Sequence, residues 1–187
     1  MGQRNGRVPW PRGRDGAAGF GAWCAGLERP LYSYLLRMTG SPEDAEDLAQ
    51  DAFLRVFRLW KAGRLRRDES AARSLVFKAA HNLAVDLLRK RSRPLPDPPE
   101  PAAPPNAMDG EARRMAIAQA LAQLPADQRG ALLLREYGEL SYAEIAKAMD
   151  ATLDAVKVRI HRARRRLAEL LDREGRYVGP PQETSKP

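Results

Sequence analysis

Residues 141–171 read SYAEIAKAMDATLDAVKVRIHRARRRLAELL, and the fold follows from how this stretch is parsed. Ser141 with Glu144 three residues on is an N-cap with its capping-box partner, and Ile145, Ala148 and Met149 supply the apolar side of a short helix. The chain then turns through Asp150 and Ala151 and restarts at Thr152, whose hydroxyl can accept from the free amides of a second helix. Asp154 complements the positive end of that helix. Val156, Ile160, Ala163, Leu167 and Leu170 recur at spacings of three and four, so one stripe faces a core. Lys157, Arg159, Arg162, Arg164, Arg165 and Arg166 occupy the opposite side. A short helix, a tight turn and a long basic helix make a helix-turn-helix, whose second helix fits a DNA major groove while arginines meet phosphates. A basic run taken alone reads equally well as a solvated face. The small Ala146 at the helix crossing, with Val156 and Ile160 at packing positions, favours DNA binding.

Composition narrows the class. The 187 residues suffice for one domain or two small ones. A formal net charge of +8 and a pI near 10.0 favour a polyanionic partner. Cys24 stands alone, so no intramolecular disulfide forms, and its apolar neighbours predict a small buried side chain. No apolar run reaches the ~20 residues of a membrane helix, and no signal-peptide core follows the basic start, so a soluble cytoplasmic protein is expected. His81 and Asp86 do not share a helical face, which argues against a metal pair. Gly-rich phosphate loops, paired Cys-x-x-Cys motifs and a nucleophile beside a base are absent, so neither an enzyme nor a cofactor is expected.

Around the opening motif the chain divides readily. Residues 1–19 are rich in Gly, Arg and Pro and read as a disordered basic arm, with order starting at Phe20. Phe20, Trp23, Leu27, Leu31, Tyr34, Leu35 and Met38 then keep a helical period, and Pro30 predicts a kink or two short helices. Ser41, Pro42, Glu43 and Asp44 start a helix running to about Trp60, with Leu48, Ala49, Ala52, Phe53, Val56, Phe57 and Trp60 inward. Asp44, Asp47, Asp51, Arg55 and Arg58 form its outer charged stripe, which spacing alone explains as self-paired surface charge.

Residues 61–70 form a basic loop. A third helix follows over about 71–91, with Ala72, Leu75, Val76, Ala79, Leu83 and Leu87 inward, and it ends in a basic cluster that suits a helix C-terminus. Residues 94–110, PLPDPPEPAAPPNAMDG, form a semi-rigid linker extending ~3 Å per residue. Residues 111–124 give a helix with Ile117, Leu121 and Leu124 on one side. Pro125 begins another with Asp127 in its first turn, and Gly138 ends it. Residues 173–187 read as a disordered tail. No strand pattern occurs, so the expected class is all-α, two small helical domains (20–93 and 111–172) joined by the Pro-rich linker.

In this order the segments resemble the extracytoplasmic-function (ECF) sigma factors, the smallest class of the sigma-70 family of bacterial transcription initiation factors. The resemblance rests on SPEDAEDLAQDAFLRVFRLW at 41–60, SLVFKAAHNLAVDLLRKRSR at 74–93 and LPADQRGALLLREYGELSYAEIAKAMDATLDAVKVRIHRARRRL at 124–167. It implies that residues 20–93 are sigma region 2 and residues 111–172 sigma region 4. It also turns the charged stripe into a partner surface, in which Asp44, Asp47, Leu48, Gln50, Asp51 and Arg55 would dock on a coiled coil of the RNA polymerase beta-prime subunit. The second unit would contact the beta subunit.

The third helix and its preceding loop look like the part that melts and reads a minus-ten promoter element, where freed bases are received in pockets and the backbone is held by cations. The residues implied are Arg64, Arg66, Arg67, Lys78, Asn82, Arg89, Lys90, Arg91 and Arg93. A tryptophan common in the family is replaced by Leu75. The helix-turn-helix would read a minus-thirty-five element through Thr152, Asp154, Ala155, Lys157, Val158, Arg159 and Arg162. Where the family often has Thr-Val-Lys-Ser-Arg, this chain has Ala155 and Val158 in place of the two hydroxyls, side chains that touch thymine methyls but cannot hydrogen-bond a base edge. Asp150 stands near the usual turn glycine, a place where Asp tolerates a left-handed backbone. An anti-sigma protein, often membrane-bound in this family, is a further implied partner. The alternative expectation is a helix-turn-helix regulator that acts on duplex DNA without polymerase.

Overall fold

A computed structural model describes residues 16–65, 69–91 and 110–173, and every regular element among them is an α-helix. The minus-ten candidates Arg66, Arg67 and Arg93, the linker up to residue 109, and the tail from residue 174 lie outside the described residues. So does the basic arm up to residue 15, while residues 16–19, read with that arm, are helical.

Helix α1 spans Gly16–Thr39 without interruption, although Pro30 sits inside it. Of the two outcomes expected from the missing amide, a kink or two short helices, the division into two helices does not occur. Leu27, Leu31, Tyr34, Leu35 and Met38 are buried on both sides of Pro30, and this shared burial offsets a lost hydrogen bond. Gly40, with φ +75°, then reverses the chain.

Helix α2 (Pro42–Lys61) begins as its sequence predicts, with the Ser41 hydroxyl accepting from the Asp44 amide and proline in the first turn. Ala45, Ala49, Ala52 and Val56 form its buried line, while Leu48, Phe53, Phe57 and Trp60 are half-buried beside them. Phe57 stacks on Trp60 at a centroid distance of 5.8 Å, and Phe20 packs tilted against both at 5.2 and 5.3 Å.

Helix α3 (Glu69–Arg91) departs most from its expected inner face. Leu75, Leu83 and Leu87 are only half-buried, whereas Ser74, Phe77, Ala80, His81 and Ala84 join Ala72 and Val76 inside. The reason is that α3 has neighbours on two sides. It packs on α1 and α2, and also on α5 and α6 of the second unit.

The second unit consists of α4 (Gly110–Ala122), α5 (Ala126–Glu136), α6 (Tyr142–Ala148) and α7 (Leu153–Arg173). On α4 the small Ala116 and Ala120 are buried with Leu121, and the expected Ile117 is half-buried. Helix α7 is the spine, touching α4, α5 and α6 through Val156, Ile160, Ala163 and Leu170. Tyr137 follows α5 as its C-cap, and the left-handed residue of this turn is Glu139 (φ 53°) rather than Gly138. A Cβ at Gly138 would come within 2.6 Å of the Leu134 carbonyl oxygen, so glycine is required there for closeness. One apolar cluster runs through both units, from Phe20 and Leu31 through Phe77 to Leu133, Leu140 and Ile160.

Candidate nucleic-acid interface

The capping box at the entry to α6 is complete. The Ser141 hydroxyl accepts from the Glu144 amide at 3.2 Å, and the Glu144 carboxylate accepts from the Ser141 amide at 2.8 Å. Asp150 takes the left-handed conformation (φ 48°) that turns the chain into α7, and the Thr152 hydroxyl accepts from the Ala155 amide at 3.2 Å. Asp154 pairs with Lys157 one turn on at 3.1 Å. These local devices set the angle at which α7 leaves the turn.

Of the upstream-element candidates, Thr152, Asp154, Lys157, Val158 and Arg162 are exposed, and Ala155 is half-buried. Val158 keeps 45 % of its surface open, an apolar side chain on the outer face of a basic helix. Such a residue suits a thymine methyl. Arg159 differs from its expected place on the free basic face. It turns toward α5, where its Nη2 lies 3.0 Å from an Asp127 carboxylate oxygen while Nη1 is buried without a hydrogen-bond partner. Arg164 likewise pairs with Glu136 of α5 at 2.8 Å, and Arg165 and Arg166 pair with Glu169 on their own helix. The open part of the basic face is thus narrower than its charge suggests.

On the first unit Arg64, Asn82, Arg89 and Lys90 are exposed. Lys78, Asn82, Asp86 and Arg89 follow one another at helical spacing along α3, with Arg89 3.9 Å from Asp86. Lys78 is half-buried, and its ammonium meets the Asp150 carboxylate of the second unit. Arg91 makes a bidentate pair with Asp44 at 2.5 and 2.8 Å, fastening the end of α3 to the start of α2. The Arg91 hydrogen bonds hold the Asp44 carboxyl below the usual carboxylate range.

Asp44 is therefore committed within the fold, while Asp47, Gln50, Asp51 and Arg55 stay exposed and Leu48 leans on the core. Beside this stripe α1 and α2 border a groove of about 850 Å³ lined by Cys24, Tyr32, Gln50, Phe53 and Leu54. Leu54 is 41 % exposed at its edge. Burial pushes the Cys24 thiol up to about 12, so at neutral pH it is an inert wall of the groove.

The sequence reading missed a polar cluster at the centre. Tyr34 of α1 and His81 of α3 are hydrogen-bonded at 2.9 Å, and both are buried. Arg129 of α5 lies close by, only 9 % exposed, its Nε without a hydrogen-bond partner. Desolvation keeps the His81 imidazole below its ordinary value, with a raising influence from Asp127 and a lowering one from Arg159. Desolvation also raises the Tyr34 phenol and lowers Arg129, each partly opposed by the other's charge. A glycine in the interior of α5, Gly130, was the available signal, because such a residue usually marks a close approach.

Comparison with known proteins agrees with this geometry. Residues 25–94 match sigma-70 region 2 and residues 114–167 match sigma-70 region 4. The chain is 31% identical to the RNA polymerase sigma-H factor of Pseudomonas aeruginosa, over 77% of this chain and 81% of that protein. It is 32% identical to the ECF RNA polymerase sigma factor SigL of Mycobacterium tuberculosis, over 78% of this chain and 84% of SigL. With SigG of the same organism it shares 30% identity over 89% of its own length but only 52% of SigG, so it spans about half of that relative. The fold is that of the sigma factor RpoE of Bartonella quintana, solved in complex with the anti-sigma factor NepR (TM-score 0.62, 23% identity, 82% of this chain and 96% of that one). It is also that of CnrH, solved with the cytosolic domain of CnrY (TM-score 0.65, 22% identity, 83% and 89%). Two sigma regions in the family's order, on the helices that the residues themselves predict, place the chain in the ECF group of the sigma-70 family of RNA polymerase sigma factors.

Proposed function

We propose that this chain is a promoter-specificity subunit that binds core RNA polymerase, directs it to particular promoters and has no reaction of its own. The observation that carries the reading is the outer face of α2, where Asp47, Gln50, Asp51 and Arg55 stand in solvent next to the apolar groove edged by Phe53 and Leu54. A charged rim beside an apolar trough suits a helical partner whose own charges complement the rim. In this proposal the partner is the beta-prime coiled coil, with the second unit against the beta subunit. The solved complexes of RpoE with NepR and CnrH with CnrY support an anti-sigma protein as a further partner.

DNA is contacted by both units. Asn82, Arg89 and Lys90 of α3, with Arg64 ahead of it, form the minus-ten surface, where freed bases need pockets and phosphates need cations. On α7, Lys157 and Arg162 hold upstream phosphates while Val158 and Ala155 offer methyl contacts. Arg159 acts mainly by fixing α7 on α5 through Asp127.

The test is equilibrium binding of the purified chain to core RNA polymerase. Asp47→Arg combined with Asp51→Arg should abolish binding with helix content unchanged, since both side chains are exposed. Normal assembly of the double variant would remove the role of α2. Failure of the wild-type chain to bind core at all would leave a regulator acting on duplex DNA alone.

A further inference from the structure

The groove between α1 and α2 runs against the charge of the rest of the molecule. On a chain of formal net charge +8, its lining sets the carboxylates of Glu28 and Glu46 beside the guanidinium of Arg29, and Asp47 and Asp51 stand exposed on the same helix as Glu46. Its volume of about 850 Å³ arises because Gly21, Ala25 and Ala49 are too small to fill the space between the helices. The half-buried rings of Tyr32 and Phe53 border the same space. Rings beside small residues give an extended, proline-bearing segment apolar area to cover.

The chain carries such a segment next to the groove. Residues 1–15 lead directly into α1 and read MGQRNGRVPWPRGRD. Arg4, Arg7, Arg12 and Arg14 give them the opposite charge, and Trp10, between Pro9 and Pro11, is their one aromatic side chain. Proline on both sides biases Trp10 toward an extended backbone, which lowers the entropy lost on docking.

The lengths agree as well. The Phe20 and Trp60 rings lie 5.3 Å apart, so α1 and α2 run antiparallel from the turn at Gly40, and the groove follows α1 from Gly21 to Tyr32 with Glu46 toward the Tyr32 end. At ~1.5 Å per helical residue, Gly21, Glu28 and Tyr32 stand about 8, 18 and 24 Å along α1 from Gly16. A segment that reverses over about three residues and returns along α1 at ~3.1 Å per residue brings Trp10, Arg7 and Arg4 to about 6, 16 and 25 Å.

We infer that the occupant of this groove is the chain's own residues 4–12, with Trp10 over Gly21 and Cys24, Arg7 beside Glu28, and Arg4 beside Glu46 and the Tyr32 ring. The segment then covers the trough next to Asp47 and Gln50, so it competes with a helical partner for the outer face of α2. That competition rests on the polymerase-binding function proposed above, whereas the docking of the segment does not. A groove filled in ~80 % of free molecules weakens polymerase binding ~5-fold.

Docking is tested on the free full-length chain, where polymerase plays no part. With p-benzoylphenylalanine in place of Trp10, irradiation should link position 10 to residues 21–32 or 46–54 of the same molecule, as read by peptide mass mapping. Arg4→Glu with Arg7→Glu should cut the yield of that link ~5-fold or more at low salt, as should Glu28→Lys with Glu46→Lys at two exposed groove positions. Combining the two reversed pairs should restore it, which a general disturbance of the fold would not do. The Arg4→Glu, Arg7→Glu chain without the photoprobe should bind core polymerase ~5-fold more tightly than wild type. Links found only elsewhere or only between two molecules, or a yield indifferent to both charge reversals, would overturn the docking. Unchanged core affinity in a variant that has lost the link would overturn the competition, while a wild-type chain that links as described and binds no core would sink the proposed function alone.

Discussion

The Nδ1 atom of His81 lies 2.9 Å from the phenol oxygen of Tyr34, joining α3 to α1 across 47 positions of sequence inside the core. Burial holds the imidazole below its ordinary value of 6.5, so the folded chain keeps the ring neutral. As the pH falls below about 6.5 the unfolded chain takes up a proton that the folded chain refuses, and stability is lost as the pH drops through the lower folded-state value. The melting temperature should therefore fall between about pH 7.5 and pH 5, and it should fall less in His81→Gln. The difference between the two proteins isolates the histidine from the carboxylates that titrate nearby. Parallel pH profiles for wild type and variant would remove His81 from the account.

The Arg91–Asp44 pair ties α3 to α2 in bidentate geometry, with Asp44 largely covered and Arg91 about half open. A double-mutant cycle using Asp44→Ala and Arg91→Ala should give a coupling of about 0.5–1 kcal/mol that shrinks in high salt. Because Asp44 titrates below the usual carboxylate range, its contribution is present above about pH 4 and disappears as the pH falls through its folded value. Zero coupling at low salt would show the pair to be incidental.

On α7 the exposed Lys157 and Val158 are adjacent but should behave differently. Lys157→Ala should weaken upstream duplex binding nearly uniformly across sequences and reduce the slope of log affinity against log salt by about 1. Val158→Ser should leave the slope unchanged and alter preference at one base position by about 1 kcal/mol or more. Both are read from titrations over several salt concentrations, and identical behaviour of the two variants would refute the division between phosphate and base contacts.

Local grammar made much of this fold legible. The capping box at Ser141 and Glu144, the Ser41–Pro42 start and the left-handed Asp150 are determined within a few residues, and each appears where the sequence places it. The apolar stripe of α7 was equally readable, because a single helix face explains it. Helix α3 was not. Its buried residues Ala72, Val76, Phe77, Ala80, His81 and Ala84 form one stripe at spacings of three and four, beside the expected stripe of Leu75, Ala79, Leu83 and Leu87, and only partners distant in sequence decide which of the two is covered. That the helix continues through Pro30 was not legible, because the cost of proline is local while the burial that offsets it comes from other helices. Of the candidate site, exposure of the α2 stripe could be anticipated from spacing. The capture of Arg159 by Asp127, of Asp44 by Arg91 and of Lys78 by Asp150 could not, since charge in a sequence does not reveal which partner it meets.

The most direct measurement is run-off transcription from genomic DNA by core RNA polymerase with and without this chain, with the start sites mapped. Transcripts that appear only with the chain, share upstream sequence elements, and vanish with the Asp47→Arg, Asp51→Arg variant are the predicted result. Polymerase that starts at the same sites whether or not the chain is present would contradict a promoter-specificity subunit.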